Sequence, residues 1–299
     1  MLYAVTDIGS SIIKYKIYDY TNGNLESVII NDKTTGLISY RKDNKLTSKG
    51  ITVLLDTLKE LITYSNKLNV EKNYFYATAS LRNIDNREEV LNVVKEKLNV
   101  DITILTGEEE ARHSFNAINW IDIPKDEGLL VDIGGGSSEV SIFQNKTPLE
   151  QKSIPLGVLK IYNQYVSLLL PTQEEQKHII GEVREKIKEL DFMKASGEYL
   201  YGIGKSIVIL KKLFSHLGYG SDENIIDIED VDTVLKQLST NTKENFKPLL
   251  LVDSERVHTM IPCLLIIKAI ALEFNIEKVF VCNVTLQDGL ILDIIENDK

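Results

Sequence analysis

The sequence predicts an α/β protein built from two copies of one domain, and three observations carry that expectation. One signature occurs twice. Leu2-Tyr3-Ala4-Val5-Thr6-Asp7-Ile8-Gly9-Ser10-Ser11 is an apolar run that ends in Asp-Ile-Gly and small hydroxyl residues, and Gly128-Leu129-Leu130-Val131-Asp132-Ile133-Gly134-Gly135-Gly136-Ser137-Ser138 says nearly the same. The copies lie too far apart for a solenoid repeat and suit two duplicated domains. Each copy also opens three strand-like segments, after which helical and strand periodicities alternate. Finally, 299 residues with 43% hydrophobic side chains can bury ordinary cores in about two domains.

In the first copy, residues 2–8, 12–20 and 25–30 read as antiparallel strands, with Thr21-Asn22-Gly23-Asn24 as the second turn. A polar loop over 32–49 leads to an amphipathic helix striped by Val53, Leu54, Leu58, Leu61 and Ile62, with Ser48 as candidate cap. A strand at 74–79, a helix at 87–98, a strand at 102–105 and a helix at 108–119 follow. The second copy restarts with strands at 129–133, 139–143 and 149–154, joined by tight turns that include Asn145-Lys146. Helices are expected at 158–166 and from 172 to about 192, the latter opened by Thr172 and Glu175 as a capping box. Then come a strand at 199–202, helices at 206–217, near 231–238 and at 257–274, a strand at 278–282 and a last helix after Thr285. The domains are therefore expected at 1–120 and 121–284, with the C-terminal helix 285–299 packing back on the first.

Composition bounds the partners. A net charge of −10 argues against a nucleic-acid or anionic-membrane surface, which wants a basic face. No secretory apolar region precedes the first strand and no apolar run is expected to reach transmembrane length. With only Cys263 and Cys282, both expected reduced, the cytoplasm is the default compartment. An anionic substrate would need local help from backbone amides, a metal and a few placed cations.

The glycine turns can supply that help. Without a Cβ, Gly134, Gly135 and Gly136 let the turn adopt φ > 0 and let backbone N–H groups approach an oxyanion, so the turn can hold a phosphate. Asp132, at the end of the preceding strand, is placed to hold a cation. An ordinary hairpin accounts for the same residues taken singly. Two such loops, the other built from Asp7, Gly9, Ser10 and Ser11, would clamp a polyphosphate in a cleft between the domains. The pair resembles the actin, hexokinase and Hsp70-like ATPase superfamily, and the order βββαβαβα resembles its RNase H-like domain.

Three short motifs narrow the resemblance. Tyr76-Ala77-Thr78-Ala79-Ser80-Leu81-Arg82-Asn83 is similar to the Ala-Thr-x-x-x-Arg element of the exopolyphosphatase and guanosine pentaphosphate phosphohydrolase (Ppx/GppA) family. Leu105-Thr106-Gly107-Glu108-Glu109-Glu110-Ala111-Arg112 is similar to its Gly-x-x-Glu-Ala-Arg element, and Val131 to Glu139 resembles its second phosphate loop. The resemblance implies hydrolysis of a terminal phosphoanhydride of inorganic polyphosphate or guanosine pentaphosphate. It makes Glu110 the general base and Arg82 a phosphate ligand. It also places Mg²⁺ or Mn²⁺ on Asp132 and Glu139, and phosphate contacts at Asp7, Gly9, Ser10, Ser11, Gly134, Gly135, Gly136 and Ser137. Gly202-Ile203-Gly204-Lys205-Ser206 lacks the first glycine of a P-loop and instead resembles the superfamily's Gly-x-Gly-Thr turn, so Gly204 and Lys205 join the phosphate or nucleotide contacts.

Plainer readings stand beside these. Acids in a first helical turn commonly complement the helix dipole, which fits Glu108 to Glu110 equally; the match at Gly107, Ala111 and Arg112 selects Glu110. Arg112 reads as a structural ion-pair partner, and His113 and His258 as packing residues. The chain also departs from the family. Gly9-Ser10-Ser11-Ile12 replaces Gly-Ser-Asn-Ser, and Leu286-Gln287-Asp288-Gly289 replaces Leu-Arg-Glu-Gly, so a customary cation is missing. Longer members continue into a helical domain that helps bind long polymers, so short chains or a nucleotide gain ground as substrate, with the choice left open. A catalytically weakened polyphosphate or alarmone sensor, an ATP-dependent phosphotransferase and a homodimer stay open.

Overall fold

A computed structural model of the chain describes residues 1–193, 197–220 and 224–297. The alternating apolar pattern of the first thirty residues folds as β1 (Leu2–Ile8), β2 (Ile12–Thr21) and β3 (Asn24–Ile30), an antiparallel meander in which Asp7 stands opposite Lys14 and Ile8 opposite Ile13. β4 (Lys33–Thr34) extends β2, and β5 (Arg41–Lys42) and β6 (Lys45–Leu46) pair with each other. α1 (Ser48–Lys67) buries Ile51, Leu54, Leu58 and Leu61 in the first core. Its cap is Thr47, whose hydroxyl accepts from Gly50 N at 3.3 Å, one residue before the expected Ser48. Then come β7 (Lys72–Ala77), the short α2 (Ala79–Arg82), α3 (Arg87–Leu98), β8 (Ile102–Ile104) and α4 (Gly107–Ala117). The sheet order is β3-β2-β1-β7-β8, with β7 and β8 parallel to β1.

The second sheet follows the same plan. β9 (Glu127–Ile133), β10 (Ser138–Gln144) and β11 (Thr147–Ile154) form the meander, followed by α5 (Val158–Tyr165) and α6 (Gln173–Glu189). Thr172 and Glu175 make the expected capping box. The chain continues through β12 (Tyr199–Ile203), α7 (Lys205–Leu217), β13 (Ile225–Asp227), α8 (Ile228–Gln237), α9 (Lys243–Val252), α10 (Val257–Phe274), β14 (Lys278–Val281) and α11 (Leu286–Asn297). The order β11-β10-β9-β12-β14 repeats that of the first sheet, and β13 is added antiparallel at the edge. This is the duplicated RNase H-like plan expected from the sequence.

Two compact units result: Met1–Glu110 with the segment from Gln287, and Ala111–Leu286. The division falls inside α4, before the expected residue 120, because Phe115, Ala117 and Ile118 pack with Leu130, Phe143 and Tyr201 in the second core. α11 belongs to the first unit through polar contacts. Lys16 Nζ donates to both carboxylate oxygens of Asp288 at 3.0 and 2.8 Å, and Tyr18 OH donates to Oδ1 at 2.7 Å. All three residues are buried.

α10 corrects one expectation. By length and composition it is apolar enough to cross a membrane. It carries Lys268 and an internal Pro262, and most of its residues are buried as it packs on α5, α6, α7, α8 and α9. In this fold it is the core helix of the second unit.

Buried tyrosines give the fold a pH limit. Burial, with the Asp288 charge second, pushes the Tyr18 phenol well above its ordinary 10, and burial pushes Tyr76 and Tyr201 up to about 12. The folded chain therefore keeps protons that the unfolded chain releases above pH 10. Stability is full below pH 10 and falls as pH rises from 10 toward 12. Urea midpoints should drop between about pH 9 and about pH 11; a flat profile there would contradict the burial of these phenols.

Candidate functional site

In the first unit, the sequence that ends β1 builds a tight loop. Gly9 N donates to Ile12 O at 3.1 Å, and a Cβ on Gly9 would stand 2.7 Å from that oxygen. In the second unit, Gly134 N donates to Ser137 O at 2.9 Å, and its Cβ would meet Ser137 O at 3.1 Å. Gly134, Gly135 and Gly136 do not use the left-handed φ that the turn was expected to allow, and neither does Gly9. The tightness of the turn excludes a side chain. The Gly9 and Gly134 N–H groups also close their own hairpins, so the outward-facing amides belong to later residues of each loop.

Asp7 is buried, with Oδ2 at 3.2 Å from Lys14 Nζ across the ladder and Oδ1 without a hydrogen-bond partner. The carbonyls of Ser10 and Ser11 accept from Ile38 N, and from Thr35 N and Gly36 N, so the loop is tied to the start of the following segment. Ser80 Oγ donates to Ile8 O and holds α2 against the same turn.

α2 and α4 bring Arg82 and Glu110 together. Arg82 Nη1 donates to Leu105 O at 2.6 Å and to Glu110 Oε1, an ion pair in which Glu110 is 6% exposed. The three consecutive acids have three fates. Glu108 is exposed, whereas Glu109 makes a capping box with Thr106: Thr106 N donates to Glu109 Oε2 at 2.8 Å and Glu109 N to Thr106 Oγ1 at 3.1 Å. Helix-end complementation thus describes Glu109, and Glu110 points instead to Arg82. Among the described residues Arg112 has no ion-pair partner of the kind expected; its Nη2 lies 3.3 Å from His113 Nε2.

The second unit carries the other carboxylates. Asp132 on β9 stands directly opposite Glu139 on β10, and Glu139 opposite Ser153 on β11, so the three side chains share one face. Ser153 Oγ donates to Glu139 Oε1 at 2.8 Å, and Ser114 Oγ on α4 donates to Asp132 Oδ2 at 3.0 Å. Gly204 backs the other oxygen. With φ at +86° it occupies a region that disfavours side chains, and a Cβ there would stand 3.0 Å from Asp132 Oδ1. Lys205 opens α7 beside it and is exposed. Like charges directly opposed on a sheet repel, so an acid pair in this register suits a hard cation between them. Among the described residues no group of three or more His, Cys, Asp and Glu is clustered for a metal.

A model of the Ppx/GppA phosphatase family matches residues 17–298. The chain belongs to that family. Its relatives include exopolyphosphatase 1 of Mycobacterium tuberculosis, 28% identical over 169 residues, 56% of this chain and 49% of that protein. In that match the chain spans about half the relative's length. Exopolyphosphatase 1 of Mycobacterium leprae is 23% identical over 98% of this chain and 89% of its own. Among solved structures, the Ppx/GppA family member of Aquifex aeolicus superposes with a TM-score of 0.83 at 21% identity, covering 100% of this chain and 99% of that one. An exopolyphosphatase from Cytophaga hutchinsonii gives 0.86 at 17% identity over 99% and 98%. At these identities the superpositions establish the fold.

For this Ppx/GppA family member, motif reading singled out Asp7, Arg82, Glu110, Asp132 and Glu139 and missed the residues that hold them. Ser114, Ser153, Ser80 and Lys14 act through register or through helix placement, which short motifs do not encode. Gln287, the departure expected to remove a cation, is fully buried, and its amide donates to Val5 O at 2.7 Å and Lys14 O at 3.2 Å. Its side chain joins α11 to the first sheet.

Proposed function

We propose that the chain hydrolyses the terminal phosphoanhydride of inorganic polyphosphate or guanosine pentaphosphate, the first supported by the exopolyphosphatase names of its relatives and the second by the name of a relative in Photobacterium profundum, guanosine-5'-triphosphate,3'-diphosphate pyrophosphatase. Glu110 carries the reading: a buried carboxylate on the first turn of a helix, held on an arginine, suits a fixed general base. Water attacks the terminal phosphorus in line as Glu110 takes its proton. The bond to the bridging oxygen breaks, and the chain shortened by one phosphate leaves. Arg82 is the cation beside the base, and a planar guanidinium can grip two phosphate oxygens. The hairpin loops offer backbone amides to the phosphates, and Asp7 and Lys14 lie at the foot of the first. Asp132 and Glu139 would hold Mg²⁺ or Mn²⁺, each carboxylate being oriented by a serine. Bound there, the ion would neutralise part of the charge that a protein of net charge −10 repels.

Two tests follow. Phosphate release is measured over a panel of short and long polyphosphates and guanosine pentaphosphate, with and without a phosphoryl acceptor. Release without an acceptor is expected; transfer only to an acceptor would mean a phosphotransferase, and binding without release a sensor. Release is also expected to need Mg²⁺ or Mn²⁺. Asp132→Ala and Glu139→Ala should raise the metal concentration required and weaken Mn²⁺ binding measured by electron paramagnetic resonance. Full release in excess chelator would defeat the metal role.

A further inference from the structure

The second glycine loop is held from behind by the start of α5. Val158 N donates to Gly134 O at 3.0 Å, and Leu159 N and Lys160 N donate to Gly135 O at 3.0 and 3.1 Å. A Cβ on Gly157 would stand 2.5 Å from Gly134 O, 2.5 Å from Gly135 C and 2.6 Å from Gly136 N. The backbone of Gly157 has φ −121° and ψ 174°, extended geometry that any residue adopts. Its missing side chain is therefore demanded by the loop and not by its own conformation.

The contact decides which amides face outward. In a planar trans peptide the N–H points opposite to the C=O. With the carbonyls of Gly134 and Gly135 turned toward α5, the N–H groups of Gly135 and Gly136 point away from it. Each of these peptides is also polarised by the hydrogen bond its carbonyl accepts, which strengthens its N–H as a donor. The first amides of α5 are spent on the loop, so the positive end of the helix acts through those peptides.

We infer that Gly157 is a positioning residue for phosphate: by letting α5 close on the loop, it fixes the Gly135 and Gly136 amides as the pair that meets the substrate. The inference rests on the phosphoanhydride reading above. Its test uses the full chain, sodium tripolyphosphate with Mg²⁺ as probe, calorimetric binding and ¹H–¹⁵N spectra. In the parent, the Gly135 and Gly136 amides should shift on titration more than Gly134, whose N–H is closed on Ser137. Gly157→Ala should weaken binding about tenfold or more and raise KM with a smaller change in kcat, as loss of uniform binding does. Val158→Pro suits the first position of a helix and removes the N–H that donates to Gly134 O, so it tests the same contact if Gly157→Ala does not fold. It should weaken binding about three- to tenfold, the worth of one hydrogen bond. Gly181→Ala, where nothing lies within 4 Å of the added carbon, should bind as the parent does. Folded Gly157 and Val158 variants that bind within about twofold of the parent would overturn the inference alone, as would a parent that binds without moving the two amides. A parent that neither binds the probe nor releases phosphate from any substrate would overturn the hydrolase reading and this inference with it.

Discussion

Glu110→Gln is expected to abolish phosphate release while substrate binding survives. Glutamine keeps the size and can hold a water, but it cannot take a proton, and a positioned base is worth about 10²–10⁴-fold in rate. Arg82 keeps its bond to Leu105 O at 2.6 Å in the variant, so the local fold should persist. The neighbouring acids serve as controls because each has its own surroundings. Glu108→Gln, at an exposed position, should change neither rate nor stability. Glu109→Ala loses the carboxylate that accepts from Thr106 N and should cost about 1 kcal/mol of stability with little effect on turnover. Single-turnover phosphate release and urea unfolding on the three variants separate these outcomes. Near-parental release from Glu110→Gln would sink the proposed mechanism.

Asp288→Ala is expected to destabilise the first unit strongly. It removes from a buried position the carboxylate that Lys16 and Tyr18 share. Breaking such a pair costs about 3–5 kcal/mol, a large part of the ~5–15 kcal/mol that ordinarily holds a domain together. Replacing both partners, as in Lys16→Met with Asp288→Leu, should recover much of the loss, since apolar side chains of similar volume need no charge compensation. The urea midpoint is the measurement; a loss below about 1 kcal/mol would show that the pair is worth no more than a surface one.

How far the sequence reached depended on the length of each pattern. Two helices were legible to the residue, that expected at 87–98 being α3 and that at 257–274 α10, while the one expected from 172 to about 192 is the shorter α6. Short or polar elements were not. β4, β5, β6 and β13 have two or three residues each, too few for alternation to register, and α9 begins Lys-Glu-Asn and carries an internal proline. The Thr106-x-x-Glu109 capping box was present as a pattern and went unread beneath the family motif. Within the candidate site, Arg82, Glu110, Asp132 and Glu139 were legible because short motifs that resemble the family's carry them. Their supports were not: Ser153 reaches Glu139 through strand register, and Gln287 bonds Val5 O across 282 residues of sequence. The φ > 0 allowed for the Gly134 turn goes unused for a related reason, since the lack of a side chain at Gly134, as at Gly9, answers a neighbouring carbonyl and not a local torsion.

The placement of α11 has a consequence for synthesis on the ribosome. The second unit is one contiguous stretch, whereas the first needs Gln287 and Asp288 to meet Val5, Lys14, Lys16 and Tyr18. While residues 111–286 are being added, Gln287 and Asp288 have yet to reach the N-terminal sheet, so of the two units the one begun earlier is completed later.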